Sequence, residues 1–71
     1  MSKPYTINVI IDKKKYPSDS FKADNINKAR EILWSFAEGL YEAFNKQKIN
    51  SFHLWLIDDF DGNCIGESYM E

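Results

Sequence analysis

The sequence predicts an α+β fold: a two-layer domain of order β-β-α-β-β, one helix packed on a four-stranded antiparallel sheet. Three observations predict it. Strand-like runs rich in β-branched and aromatic residues cover residues 5–12 and 51–58. The apolar spacing turns helical between Ile26 and Phe44. A turn signal, Asp61-Gly62, then splits the C-terminal stretch into two strands. At 71 residues the chain has room for one small domain, residues 1–71.

Tyr5-Thr6-Ile7-Asn8-Val9-Ile10-Ile11-Asp12 alternates apolar with polar and places Tyr5, Ile7, Val9 and Ile11 on one face. Lys13-Lys14-Lys15 breaks the alternation as a solvated turn. Tyr16 to Ala23 is a second, weaker strand. Pro17 has no amide hydrogen for a ladder, which assigns this strand to an edge or gives it a bulge. The two strands form a hairpin. Asp24 or Asn25 then supplies an N-cap oxygen. From there Ile26, Ala29, Leu33, Phe36, Ala37, Leu40 and Phe44 trace the buried stripe of a helix ending near Asn45 or Lys46. Lys46 and Lys48 suit the negative end of its dipole. Gly39, costly inside a helix, reads either as a point of close approach to a neighbouring element or as a tolerated defect. Ser51 to Asp58 is the strongest strand of the chain. After a tight turn at Asp61-Gly62, with two or three residues in the loop, Cys64 to Met70 returns as the last strand. Its facing depends on that loop, since one residue of slip exchanges the faces.

Composition narrows the chemistry. A chain this short buries roughly 60% of its unfolded surface and folds on a thin margin. One cysteine, Cys64, and one histidine, His53, exclude an internal disulfide and a Cys/His zinc site. With 44% hydrophobic and 28% charged residues the chain is a folding one, and no apolar run approaches the roughly 18 residues of a membrane span. Met1-Ser2-Lys3-Pro4-Tyr5 lacks the apolar core of a signal peptide, and with a lone thiol the expected compartment is the cytosol. The net charge of −2 hides an asymmetry: residues 1–30 carry seven Lys/Arg against three Asp, and residues 31–71 carry two Lys against eight Asp/Glu.

There is more apolar surface than one core uses. On a helical wheel centred on Leu33, the apolar arc reaches Trp34 and Tyr41 near +100° and +80°, and Ile32 and Ala43 near −100° and −80°. It spans roughly 200°, about twice what covering one sheet face requires. Trp34 and Tyr41 therefore form an apolar shoulder. In the strand 51–58, Phe52, Leu54 and Leu56 face one way, and His53, Trp55 and Ile57 face the other, joined by Ile10 from the first strand. A strand apolar on both faces is normally covered on both, yet only one helix is predicted. The shoulder or the open face is accordingly expected to be an interface, with a symmetric homodimer through the sheet as its simplest form; the alternative is that Trp55 and Tyr69 merely stack on the open face.

Catalysis finds little support. A His53–Cys64 thiolate–imidazole pair would sit among Asp58, Asp59 and Asp61, which raise a thiol's pKa, so Cys64 is expected to be buried and inert. Residues 58–63 resemble a calcium loop only in Asp59, Asp61 and Gly62. Ile57 stands where the first carboxylate belongs and Ser68 where the closing glutamate belongs. No phosphate loop and no Ser/His/Asp set is present. No enzyme, metal or cofactor is expected. Lys13, Lys14, Lys15 and Tyr16 offer a weak phosphate contact, but a pI near 5.3 argues against nucleic acid.

What remains is binding. Acidic residues cluster on the helix (Glu31, Glu38, Glu42), at the second hairpin (Asp58, Asp59, Asp61) and at the C-terminus (Glu67, Glu71). Carboxylates interleaved with Trp34, Tyr41, Trp55 and Ile57 suit a protein partner with a basic surface. The expected function is a non-enzymatic protein-binding module, acting as a stoichiometric inhibitor or adaptor. A structural homodimerising domain is the alternative, and a weak nucleic-acid binder through the Lys13–Lys15 loop a second one. In size, charge and architecture alone the chain is similar to phage-borne inhibitors of host nucleases and CRISPR effectors; it shares no motif with them.

Overall fold

The computed structural model describes residues 2–71. Strands β1 (Lys3–Ile11) and β2 (Lys14–Ala23), helix α1 (Ile26–Asn45), and strands β3 (Phe52–Asp58) and β4 (Asn63–Met70) follow in the predicted order. They form one antiparallel sheet, β2-β1-β3-β4, with α1 on one face.

The first hairpin turns one residue earlier than its sequence implies. Asp12 and Lys13 both have positive φ, 50° and 68°, as a two-residue turn matched to strand twist requires. Lys14 and Lys15 lie in β2, so of the three lysines read as a solvated turn only Lys13 is in it. Asp12 is no strand residue either. Its Oδ1 accepts from the backbone N–H of Asn50 (2.6 Å) and of Ser51 (3.1 Å), while its own N–H donates to the Ser51 carbonyl at 3.0 Å. Three hydrogen bonds thus tie the hairpin tip to the entrance of β3. On β2 the expected disruption is present: Ile7 pairs with Asp19 and Val9 with Tyr16, so β2 carries one extra residue beside Pro17. The strand is also an edge.

Helix α1 starts at the Asn25 cap, whose Oδ1 accepts from Lys28 N–H at 2.9 Å. At the other end Gln47 turns left-handed (φ 62°). Its N–H donates to Phe44 O at 3.0 Å and Lys48 N–H donates to Ala43 O at 2.9 Å, the paired bonds that close a helix C-terminus. Ala29, Leu33 and Ala37 pack down onto Tyr5, Ile7, Phe52, Leu54 and Leu56, all of them buried.

The helix does not lie centrally on the sheet. Arg30 Nε donates to Ile65 O at 3.0 Å, Tyr41 Oη lies 3.1 Å from Ser68 Oγ, and a Cβ on Gly66 would sit 2.9 Å from Leu33 Cδ2. All three contacts pull α1 toward β4. Three expectations change as a result. Ile26 and Phe36, assigned to the buried stripe, are exposed, Phe36 on the side facing β1 and β2. Tyr41 is half-buried, edge-on to Phe52 with 5.1 Å between ring centroids, instead of standing on an apolar shoulder. Gly39 opens onto empty space; the glycine that permits close approach is Gly66.

The second hairpin is longer than a two- or three-residue turn. Asp58 pairs with Asn63, leaving Asp59-Phe60-Asp61-Gly62 as a four-residue loop, with Gly62 at φ 77°. A bulge follows in β4: Leu56 pairs with Gly66 but Ile57 with Cys64. That extra residue decides the facing of the last strand. Gly66, Ser68 and Met70 lie opposite inward-facing residues of β3, while Cys64, Glu67 and Tyr69 lie opposite outward-facing ones. Cys64, expected to be buried, is exposed.

Candidate functional site

With α1 on one face, nothing among the described residues covers the other. Strand pairing sets its side chains out in rows. Lys15, Ile10, His53 and Tyr69 form the first row; Asn8, Trp55 and Glu67 the next; Ser20, Thr6, Ile57 and Cys64 the third.

Aromatic contacts join the rows. The His53 ring lies 4.7 Å from that of Trp55 and 5.8 Å, near edge-on, from that of Tyr69. Its Nε2 donates to Glu67 Oε2 at 2.8 Å, which holds the ring across two rows. Trp55, Ile57 and Ile10 are half-buried by these neighbours, and Tyr69 is 60% exposed. At one end Ile10, Lys13, His53, Glu67, Tyr69 and Glu71 line an open concavity of about 790 Å³. Toward the other end the face turns polar: Thr6 Oγ1 donates to Asp59 Oδ2 at 2.7 Å and lies 3.3 Å from Ser20 Oγ, and Ser18 Oγ donates to Asn8 Oδ1 at 2.6 Å.

The residues expected to bind a partner separate into three groups. Trp55, Ile57 and Asp59 come together on the open face. Trp34 stands apart on the helix, 58% exposed. Tyr41 and Asp58 lie inward. Asp58 is only 7% exposed, because it sits on the inward-facing side of β3 and its Oδ1 accepts from Phe60 N–H at 2.9 Å. It shapes the turn from within and does not contribute to an acidic tip. Asp61 likewise accepts from Asn63 N–H at 3.1 Å. Asp58 faces inward while Asp59 reaches Thr6 on the open face, and among the described residues no group of three His, Cys, Asp or Glu is arranged to hold a metal ion.

His53 and Cys64 do not meet. His53 pairs with Tyr69, and Cys64 with Ile57, four residues along β3, a separation of roughly 13 Å at strand rise.

Sequence reasoning weighed Tyr69 as an open-face aromatic and Glu67 as an acidic group near the terminus but assigned neither to the partner-binding set, since their facing depends on the β4 bulge. It missed Phe60, 82% exposed at the loop tip with Lys3 Nζ 6.0 Å from its ring centre. A second apolar groove, about 390 Å³, lies where α1 leaves β2 uncovered, between Phe36 and Leu40 of the helix and Val9, Ile11 and Tyr16 of the sheet. No helix among the described residues is long and apolar enough to cross a membrane. Comparison with known proteins finds no matching family model, no matching curated protein and no matching solved structure.

Proposed function

We propose that the chain is a non-enzymatic protein-binding module of the cytosol, which docks a protein partner on the open face of its sheet and acts by occupancy, as a stoichiometric inhibitor or adaptor. The observation that carries this is the contiguous group His53, Trp55, Ile57, Tyr69 and Ile10, left uncovered on a sheet whose other face already holds the core. Tryptophan and tyrosine contribute most to protein interfaces when a partner completes their desolvation. Carboxylates border the group at Glu67, Glu71 and Asp59, which favours a partner with a basic surface and speeds its approach.

The test is affinity capture from the source cell, with wild type, Trp55→Ala, and a charge-reversed Asp59→Lys, Glu67→Lys variant compared at matched circular dichroism. The expected result is a specific partner whose binding weakens more than about tenfold in each variant. Capture that survives both variants and fails with Trp34→Ala would move the site to the helix.

One observation favours a second reading. Aromatic side chains on an open antiparallel sheet, with Lys13 and Lys15 at its border, are a stacking platform for single-stranded nucleic acid. Glu67, on the edge strand β4 directly beside Trp55, opposes a phosphate backbone. A gel shift with an unstructured oligonucleotide at low salt separates the two, and protein docking predicts no retardation.

A further inference from the structure

Resting on that reading of the open face, we infer that the basic partner it fits is a second copy of the chain, packed face to face about a two-fold axis parallel to the strands. The charge asymmetry of the sheet carries the inference. Across the open face, Lys15 and Lys22 lie on β2 at one edge, and Glu67, followed by Glu71, on β4 at the other. Ile10, His53, Trp55 and Ile57 occupy the two middle strands. The face is therefore basic on one side and acidic on the other, with Ile10, Trp55 and Ile57 between, interleaved with Asn8 and Thr6.

Two such sheets can pack aligned about an axis along the strands or one across them. An axis across the strands sets β2 over β2 and β4 over β4, like charge on like. The axis along the strands sets β2 of each copy over β4 of the other. Rows are then kept: Ile10 meets His53 of the second copy, Asn8 meets Trp55, and Thr6 meets Ile57. Lys15 falls over Tyr69 of the second copy, with Glu67 and Glu71 one row to either side, about 6.7 Å along the strand. The carboxylates that suit a basic partner thus find it in the N-terminal hairpin of the same sequence.

The face is small. Four strands at about 4.8 Å spacing and four rows at about 6.7 Å give a footprint of roughly 19 by 27 Å. That is at or below the low end for a stable interface, so the dimer is expected to dissociate in the micromolar range and to weaken with salt.

Sedimentation velocity over a concentration series tests this, using wild type, Lys15→Glu, Glu67→Lys and the two substitutions combined. Both positions are exposed, and circular dichroism verifies folding. Wild type is expected to double its mass with concentration. Each single reversal should raise the dissociation constant about tenfold or more, and the combination should return it to within about threefold of wild type. A wild type that stays monomeric, single reversals that tighten association, or a combination no better than its parts would each overturn the proposal. Affinity capture keeps the two levels apart. A monomer that still loses its partner on Trp55→Ala removes the second copy and leaves the open face as a docking surface; a monomer whose capture is indifferent to Trp55 removes both.

Discussion

Single residues carry opposite loads at chemically identical positions, and the two interior glycines show how. A methyl group on Gly66 would press into Leu33 Cδ2 at 2.9 Å, and Leu33 is buried with little room to retreat. Gly66→Ala is expected to destabilise by about 1–2 kcal/mol, a fall in melting temperature of several degrees. A methyl group on Gly39 meets nothing, so Gly39→Ala should stabilise by roughly 0.5–1 kcal/mol through helix propensity alone. Thermal denaturation of the pair settles both signs, and equal shifts would contradict the off-centre packing of α1. Tyr5 offers a third case. Its ring is fully buried and stacked 5.8 Å from Phe21, but its hydroxyl has no hydrogen-bond partner among the described residues. Because an unsatisfied buried hydroxyl costs about 1–3 kcal/mol, Tyr5→Phe is expected to be neutral or stabilising in urea denaturation. A loss above about 1 kcal/mol would mean that the hydroxyl is satisfied in solution.

At the level of elements, the joints are held by polar groups in left-handed or capping positions. Asp12 is the most connected of them, joining the β1–β2 turn to the segment before β3. Asp12→Ala removes an acceptor from two backbone amides and places alanine at positive φ, for an expected loss of about 2 kcal/mol. Hydrogen exchange should localise the effect, with the amides of Asn50 and Ser51 losing protection first. At the helix C-terminus the left-handed Gln47 is strained for lack of a glycine, and Gln47→Gly should stabilise by about 0.5–1 kcal/mol in the same denaturation assay. Much of this level was legible in advance. The strand–helix alternation, a cap at Asp24 or Asn25, and an edge or a bulge for the proline strand all follow from local residue types. The tip of the second hairpin did not, because Asp58 resembles a solvent-facing acid until its position on the inner side of β3 is known.

For the whole molecule, an off-centre helix on a four-stranded sheet leaves apolar surface in two places: the open face, and the groove beside Phe36. Trp34 stands apart from both. Its exposure predicts that Trp34→Ala costs under about 1 kcal/mol, whereas Leu56→Ala in the core should cost about 2–5 kcal/mol, a large part of what a 71-residue domain has in reserve. Equilibrium urea titration checks the contrast. Of the residues expected to meet a partner, Trp55, Ile57 and Asp59 share one surface. Tyr41 and Asp58 turn inward, so an acidic and aromatic composition overstated the area available for contact.

The order of elements, the cap, and the surplus of apolar residues over what one helix can cover are properties of the sequence itself, since residue spacing and local backbone preference are enough to produce them. Where the surplus goes was decided only in three dimensions. The lean of α1 toward β4 depends on the room at Gly66, and the outward facing of Glu67 and Tyr69 depends on one extra residue in β4. Both are long-range packing and pairing choices that leave no periodic trace along the chain.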